Sequence, residues 1–372
     1  MEEEVYKCPY FIKHVPVRDR AQEIEKLRVS GTAVGQTDFT GFEAHFSPEL
    51  LDMCEFELYD WMVSQLSGDG AAFMSRVRRA IAGVNHCIFK WFIALILARR
   101  MSGEMCTSLG NGFTNLMFIL FACLVLCHMS FVDVRVEGDD GVFAGSGDLP
   151  TAAMFESLGC DIKIEQHSDV NVASFCGLIY DPHDLIVVTD PRPVLADFGH
   201  VHYDYRFASS ETLLVLLRCK GLSMLHQYPG CPIIQSLGLC ILKVTKGVDP
   251  RNYIYNSSTL SMWERDQLRE AYEQNLPTKP VPHRTRELVE MMFELPINVQ
   301  IEIEQYLDSV DTPCVLHIPH ADIVFKQIWR DYSSKYQRLL LVDDDLCDIE
   351  EVNTVTFLDG RVWPIHSKLQ NK

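Results

Sequence analysis

Val132-Asp-Val-Arg-Val-Glu-Gly-Asp-Asp-Gly-Val-Phe-Ala-Gly145 sets β-branched residues on either side of the turn sequence Gly138-Asp139-Asp140-Gly141. Two short strands joined by a tight acidic turn are the expected structure, because β-branched residues suit a pleated, half-buried surface and Asp and Gly supply turns. The turn places Asp139 and Asp140 side by side at its tip. Two adjacent carboxylates repel unless a positive charge sits with them, and a divalent metal ion is the usual one. Asp-Asp-Gly is also an ordinary turn sequence. Its chemistry therefore depends on what other segments bring to it.

The first partner is Asp38, in Thr37-Asp-Phe-Thr-Gly-Phe-Glu-Ala-His-Phe-Ser-Pro48, within a predicted strand over 34–39. If that strand lies beside the acidic hairpin in one sheet, three carboxylates from separate strands converge. A pair of hard cations about 3.5–4 Å apart requires such a set, and it aligns a 3′ hydroxyl with an incoming phosphate while stabilising departing pyrophosphate. Between the two acidic segments stands Ser102-Gly-Glu-Met-Cys-Thr-Ser-Leu-Gly-Asn111. Its Ser, Thr and Asn side chains offer uncharged donors and acceptors for ribose and backbone contacts.

In order and spacing these segments resemble the palm of a viral RNA-dependent RNA polymerase of positive-strand RNA viruses, of picorna-, tombus- and noda-like type. Asp38 with Glu43 five residues on, followed by Ser-Pro, resembles motif A of that family; Ser102-Gly103 with Thr107 and Asn111 resembles motif B. Gly138-Asp139-Asp140 resembles motif C, residues 149–164 resemble motif D, and Ser174-Phe-Cys-Gly177 resembles motif E. The resemblance implies that Asp38 and Asp139 ligate catalytic Mg2+ or Mn2+ ions, with Asp140 supporting them. It implies that Glu43 and Asn111 read the ribose 2′-hydroxyl, the group that separates RNA from DNA. Thr107 would assist them, the Ser102-Gly103 loop would flex in translocation, and Phe175, Cys176 and Gly177 would form a grip hairpin. Where Glu43 stands the family commonly has Asp, one methylene shorter. A general acid for the pyrophosphate is expected near motif D, where Lys163 and His167 both stand.

The implied reaction is templated addition of ribonucleoside triphosphates to an RNA 3′ end. The implied partners are template RNA, the primer or product strand, the triphosphates and other viral replicase parts. The implied fold is α+β: a right-hand polymerase palm over residues 38–180, its antiparallel sheet packed on helices, with a finger insertion at about 66–100. A mainly helical thumb over 181–335 and an acidic tail over 336–372 are expected to follow. Residues 1–37 are expected to be a remnant of the fingers, most of which would be missing. The family holds its triphosphate with a basic segment roughly sixty residues before motif A. Lys7, Lys13, Arg18 and Arg20 are the candidate substitutes.

Local signals mark further elements. Lys7 to Lys13 reads as a short strand, and Ser47-Pro48-Glu49 opens a helix expected to run to Gln65. A helix over 149–158 should stop at Gly159, with strands over 161–164, 173–180 and 185–188. Helices are expected over 211–227, 258–274, 284–294 and 299–309.

The 372 residues, 47% apolar and 23% charged, suit a soluble globular chain with a substantial core. A net charge of −18 runs against nucleic-acid binding, although part of it lies in the acidic run over 343–351. Thirteen scattered cysteines and the acidic opening Met1-Glu2-Glu3-Glu4 lead to an expectation of reduced thiols in the host-cell cytoplasm. Contact with membranes would then come through other replicase proteins. Phe113 to Val132 is apolar enough to mimic a membrane span, yet Asn115, Cys123, Cys127, His128 and Ser130 point to a helix buried on all sides, so no transmembrane segment is expected. His200 and His202 alternate but lack further ligands, and are expected to be structural.

Three rival readings stay open. One is a reverse-transcriptase-like polymerase, against which stand Gly before Asp-Asp and the Thr107/Asn111 pair with Glu43. The others are a catalytically incompetent polymerase fragment acting as a binding or scaffold module, and an unrelated metal-dependent phosphoryl hydrolase.

Overall fold

The computed structural model describes residues 1–326 apart from 32, 202–204, 206, 275, 277 and 315, together with the backbone of 354–356 and 362–364. Over residues 1–326 the strands are β1 (Ala33–Phe39), β2 (Val84–Ile88), β3 (Ile93–Leu97), β4 (Val132–Glu137), β5 (Asp140–Gly145), β6 (Ile162–His167), β7 (Leu178–Asp181) and β8 (Ile186–Thr189). The fold is α+β. One antiparallel sheet has the order β4-β5-β1-β6, and β2-β3 and β7-β8 form separate hairpins.

The strand alternation explains how this sheet is covered. Val132, Val134 and Val136 of β4, Phe143 of β5 and Phe39 of β1 join a core with the buried side of the helix Thr107–Leu120. Val142 and Ala144 of β5 and Val34 of β1 point the other way, into a second core with Ile12, Val17, Ala21, Ile24 and Leu27. The N-terminal segment therefore covers the back of the sheet. The short strand expected over 7–13 does not form; only Phe11 makes an isolated bridge, to Val136.

Beyond residue 180 the chain is mainly helical. The helices Ser210–Gln227, Ile234–Val244, His283–Phe293 and Ile297–Ser309 enclose a third core with Leu237, Ile241, Val289, Ile303 and Leu307 at its centre. The β7-β8 hairpin belongs to two cores at once. Ile179, Ile186 and Val188 enter the helical core, while Tyr180 and Val187 enter the one behind the sheet. Because successive strand residues face opposite sides, four-residue strands suffice to join the two parts.

Several sequence expectations need correction. The helix opened by Ser47, whose hydroxyl accepts from Leu50 N at 3.2 Å, does not run to Gln65. Cys54 leaves helical geometry at φ −127°, so the segment divides into Pro48–Met53 and Glu55–Val63. A further helix, Gly68–Ile81, follows. The strand expected over 173–180 is interrupted, because Cys176 and Gly177 both take positive φ and turn the chain. The apolar segment is a helix that continues as a π-helical turn, Phe121–Leu126. It is long and apolar enough to cross a membrane, with 61% of its most apolar window buried inside the protein. It is not buried on all sides: the wider π turn shifts the helical face, leaving Phe121, Leu124 and Val125 exposed. None of the described cysteines is in a disulfide. His202 and the acidic run over 343–351 lie outside the described residues, as does most of the expected tail.

Candidate active site

The register of the sheet brings the predicted acids together. β1 pairs with β5 up to Thr37 opposite Gly141, the last pair of that ladder; Asp38 and Asp140 are the next residues beyond it, and the charge of Asp38 reaches Asp140. On its other side Asp38 pairs with Lys163 of β6. In the β4-β5 hairpin Glu137 pairs with Asp140, leaving Gly138 and Asp139 as a two-residue loop. Gly138 has φ +61°, the left-handed geometry that a glycine-first hairpin loop requires.

A residue not singled out as functional by sequence fixes that loop. Asn115, buried in the helix Thr107–Leu120, donates its amide to the carbonyls of Gly138 (3.2 Å), Asp139 (2.9 Å) and Asp140 (3.0 Å). Thr37 Oγ1 donates to Gly141 O at 3.2 Å from the neighbouring strand. Gly141 is needed for this contact: a Cβ there would lie 2.6 Å from Thr37 Oγ1 and 2.7 Å from Ile119.

Two of the acids, Asp139 and Asp140, hold their protons more tightly than an ordinary carboxyl. Partial burial holds the Asp139 carboxyl above the usual range, and the charges of Glu43 and Asp38 add to the effect. Asp140 is pushed up to about 6, first by partial burial and then by Asp139, with Glu137 and Asp38 contributing less. Glu137 is itself neutralised by Arg20 at 2.6 Å, so one of the candidate N-terminal bases does stand beside the acidic hairpin. Lys13 instead donates to Ser108 Oγ in the first turn of the helix, while Arg18 pairs with Glu270 at 2.7 Å and Lys7 with Glu4 at 2.6 Å.

Glu43 lies in the short helical turn Phe42–His45, entered through Gly41 at φ +62°. It adds to the negative field at Asp139 and is not joined to Asn111. Asn111 Oδ1 accepts from Arg100 Nε at 3.1 Å. Arg100 is buried and saturates its other nitrogens on Glu55, also buried, and on Glu104 at 2.8 Å. Tyr59 OH donates to the second Glu55 oxygen at 2.6 Å. A guanidinium shut away from water needs several acceptors, and Asn111 is one of them. Thr107 is likewise occupied, donating to the carbonyls of Met101 and Glu104 at 3.0 Å each. Ser102 and Gly103 lie in an exposed loop, with Gly103 at φ +101°.

The two general-acid candidates separate. Lys163 stands opposite Asp38, whereas His167 stands opposite Val34, four positions along β1, and meets Gln36 Oε1 at 3.2 Å. The Lys163 ammonium donates to Glu165, which holds its pKa above the ordinary lysine value. Phe175 is buried and bridges to Leu178 around the Cys176-Gly177 turn. The Cys176 thiol, driven far above its normal pKa by burial and by Glu137 and Asp140, donates to Glu137 Oε2 at 3.5 Å. The predicted grip turn thus rests against the tip end of the acidic hairpin.

Among the described residues, no three acid, His or Cys side chains close into a metal-ligand set as they stand. The donor chemistry nevertheless suits a hard cation: Asp38, Asp139 and Asp140 are exposed carboxylates, and neighbouring acids help to raise the proton affinity of Asp139 and Asp140, with exposed Lys163 standing opposite Asp38. The Arg100–Glu55 pair and Arg20–Glu137 were not recognisable in sequence, since the partners lie 45 and 117 positions apart. Asn115 left a trace, as an amide within an apolar helix must find hydrogen-bond partners. Compared with protein-family models and with curated proteins, the chain matches none.

Proposed function

We propose that this chain is an RNA-dependent RNA polymerase of the positive-strand viral type, with a palm built on the β4-β5-β1-β6 sheet and a thumb in the helices beyond residue 180. The observation that supports the reading most is the β1-β5 register, whose last pair, Thr37 with Gly141, leaves Asp38 and Asp140 as the next residues beside the Asp139 turn. In the proposed reaction the 3′ hydroxyl oxygen of an RNA strand attacks the α-phosphorus of a ribonucleoside triphosphate. The bond to the bridging oxygen breaks and pyrophosphate leaves. Asp38, Asp139 and Asp140 would hold Mg2+ or Mn2+, which when bound offsets charge on the triphosphate and favours ionisation of the hydroxyl.

The chain's own groups have distinct tasks in this reading. Asn115 keeps the carboxylate-bearing loop in one position. Lys163, across the strand from Asp38, is the better-placed source of a proton for the leaving pyrophosphate. Asn111 can reach a ribose only once Arg100 gives it up, and Glu43 acts as a fourth acid beside Asp139.

Incorporation of labelled ribo- and deoxyribonucleotides on a primed RNA template tests the proposal. Metal-dependent, ribonucleotide-selective extension that Asp139→Asn abolishes is the expected result. Equal use of both sugars, or phosphoryl release without a template, would count against it. The occupation of Asn111 by Arg100 favours a second reading, an RNA-binding module without catalysis; it predicts template binding with no extension under any metal.

A further inference from the structure

We infer that the β2-β3 hairpin is a membrane-docking arm that seats its tip in the interfacial layer of an anionic lipid bilayer. The inference rests on a surface remote in sequence from the acidic site and does not depend on polymerase activity.

The tip reads Ile88-Phe-Lys-Trp-Phe-Ile93, and it is closed by the Phe89 N–H donating to Phe92 O at 2.9 Å. The Phe89 and Phe92 rings stack at 4.5 Å, so the tip is ordered before it meets anything. Trp91 is 82% exposed, Ile88 79% and Leu95 65%. The register places Ile88 beside Ile93 and His86 beside Leu95, so the outward face behind the aromatic tip is aliphatic apart from His86. Among the described residues no third strand pairs with this hairpin. A contiguous apolar surface of this kind marks an interaction site.

Charge identifies the partner. From Gly70 to Gly103 the chain has six Arg and Lys residues and no Asp or Glu, although it carries −18 overall. Arg78, Arg99 and Arg100 are engaged within the protein, with Asp60, the Phe46 carbonyl and Glu55. Arg76 and Arg79 lie exposed on the flanking helix Gly68–Ile81, and Lys90 sits over the Trp91 ring at 4.9 Å. Aromatic residues at a tip behind which cations gather match the headgroup layer of an anionic leaflet. Insertion stays shallow, because the unpaired strand edges cannot enter hydrocarbon. RNA is the poorer fit: Lys90 alone stands among the rings, and Ile88, Ile93 and Leu95 beside them offer a phosphate nothing.

Flotation of the full chain with vesicles of phosphatidylcholine, alone or with about 30% phosphatidylserine, tests the inference. The chain should float with the anionic vesicles and its tryptophan emission should shift to the blue. Replacing Phe89, Trp91 and Phe92 together by Ser should weaken vesicle affinity by at least about tenfold, with circular dichroism unchanged. Trp91→Phe alone should retain flotation and lose the blue shift, which keeps the test sharp if the triple variant misfolds. Arg76→Ala with Arg79→Ala should reduce the preference for anionic vesicles. Absence of flotation, or flotation equal in the triple variant, overturns the inference. So does a triple variant that instead loses single-stranded RNA binding, or one that converts a sedimenting dimer to a monomer.

Discussion

Two hairpins in this chain have opposite designs. The β4-β5 hairpin alternates Val132, Val134 and Val136 with Asp133, Arg135 and Glu137 along its first strand and is acidic at its tip; it lies in a sheet covered on both faces, with Asn115 tying down the turn. The β2-β3 hairpin has Asn85 and His86 in an otherwise apolar first strand, an apolar second strand and aromatic rings around Lys90 at its tip, and it stands outside the main sheet with its large side chains exposed. One hairpin is thus a fixed, charged loop and the other a hydrophobic projection. What covers the strands separates them further, and the strand residues alone do not encode it. The chemistry of each hairpin resides in its tip: adjacent carboxylates at one, exposed rings at the other.

The sharpest way to break the contrast is Asp139→Asn. If the acidic tip is the site, RNA synthesis should fall on the order of 10³-fold or more. The thermal midpoint should stay constant or rise, since the substitution removes a charge that repels Asp140. Retained synthesis would show that Asp139 is a turn residue and nothing more. The next largest effect should come from Arg100→Ala, at the base of the β2-β3 hairpin. It strands the buried Glu55 carboxylate and should cost about 3–5 kcal/mol in chemical denaturation. A loss below about 1 kcal/mol would mean that the network is not closed to water.

Asn115→Ala is expected to cost about 1–3 kcal/mol, because three carbonyls of the turn lose their donor. It should also reduce synthesis, since the turn carrying Asp139 is no longer held. Phe89→Ser, at the other tip, should change stability by less than about 0.5 kcal/mol. Comparing these two variants by urea denaturation measures directly how differently the hairpins are embedded.

Much of the sheet was readable from sequence because its signals are local. Alternation in 132–145 and 34–39 fixes the strands, and Gly138-Asp139 fixes the loop between β4 and β5. That the strand bearing Asp38 would lie beside the acidic hairpin was an expectation, and β1 does pair antiparallel with β5. The partner of Asn111 was not readable. Nothing near Arg100 in sequence announces that it would be buried against Glu55, and that burial decides which acceptor Asn111 serves. Lys163 and His167 were equivalent until the β1-β6 register placed one opposite Asp38 and the other opposite Val34. The helix expected from Ser47 to Gln65 failed at Cys54, where no Gly or Pro marks the break.

The smallest expected effect is one of pH, and its sign follows from Asp140. A carboxyl whose folded pKa is raised to about 6 binds its proton more tightly in the folded state than in the unfolded one. Its contribution to stability is therefore complete in acid, begins to fall as pH rises past the ordinary carboxylate value, and is gone above about 6. Asp139, raised for similar reasons, acts in the same direction. The thermal midpoint of the metal-free chain should decline modestly across that window, because both groups are partly solvated. Mg2+ or Mn2+ should restore it above pH 6 and do little below, where protons compete for the same oxygens. Asp140→Asn should flatten both dependences. Should the cation raise the midpoint equally at both ends of the window, or equally in the variant, it binds somewhere other than the acidic tip, and the contrast between the two hairpins would lose its chemical meaning.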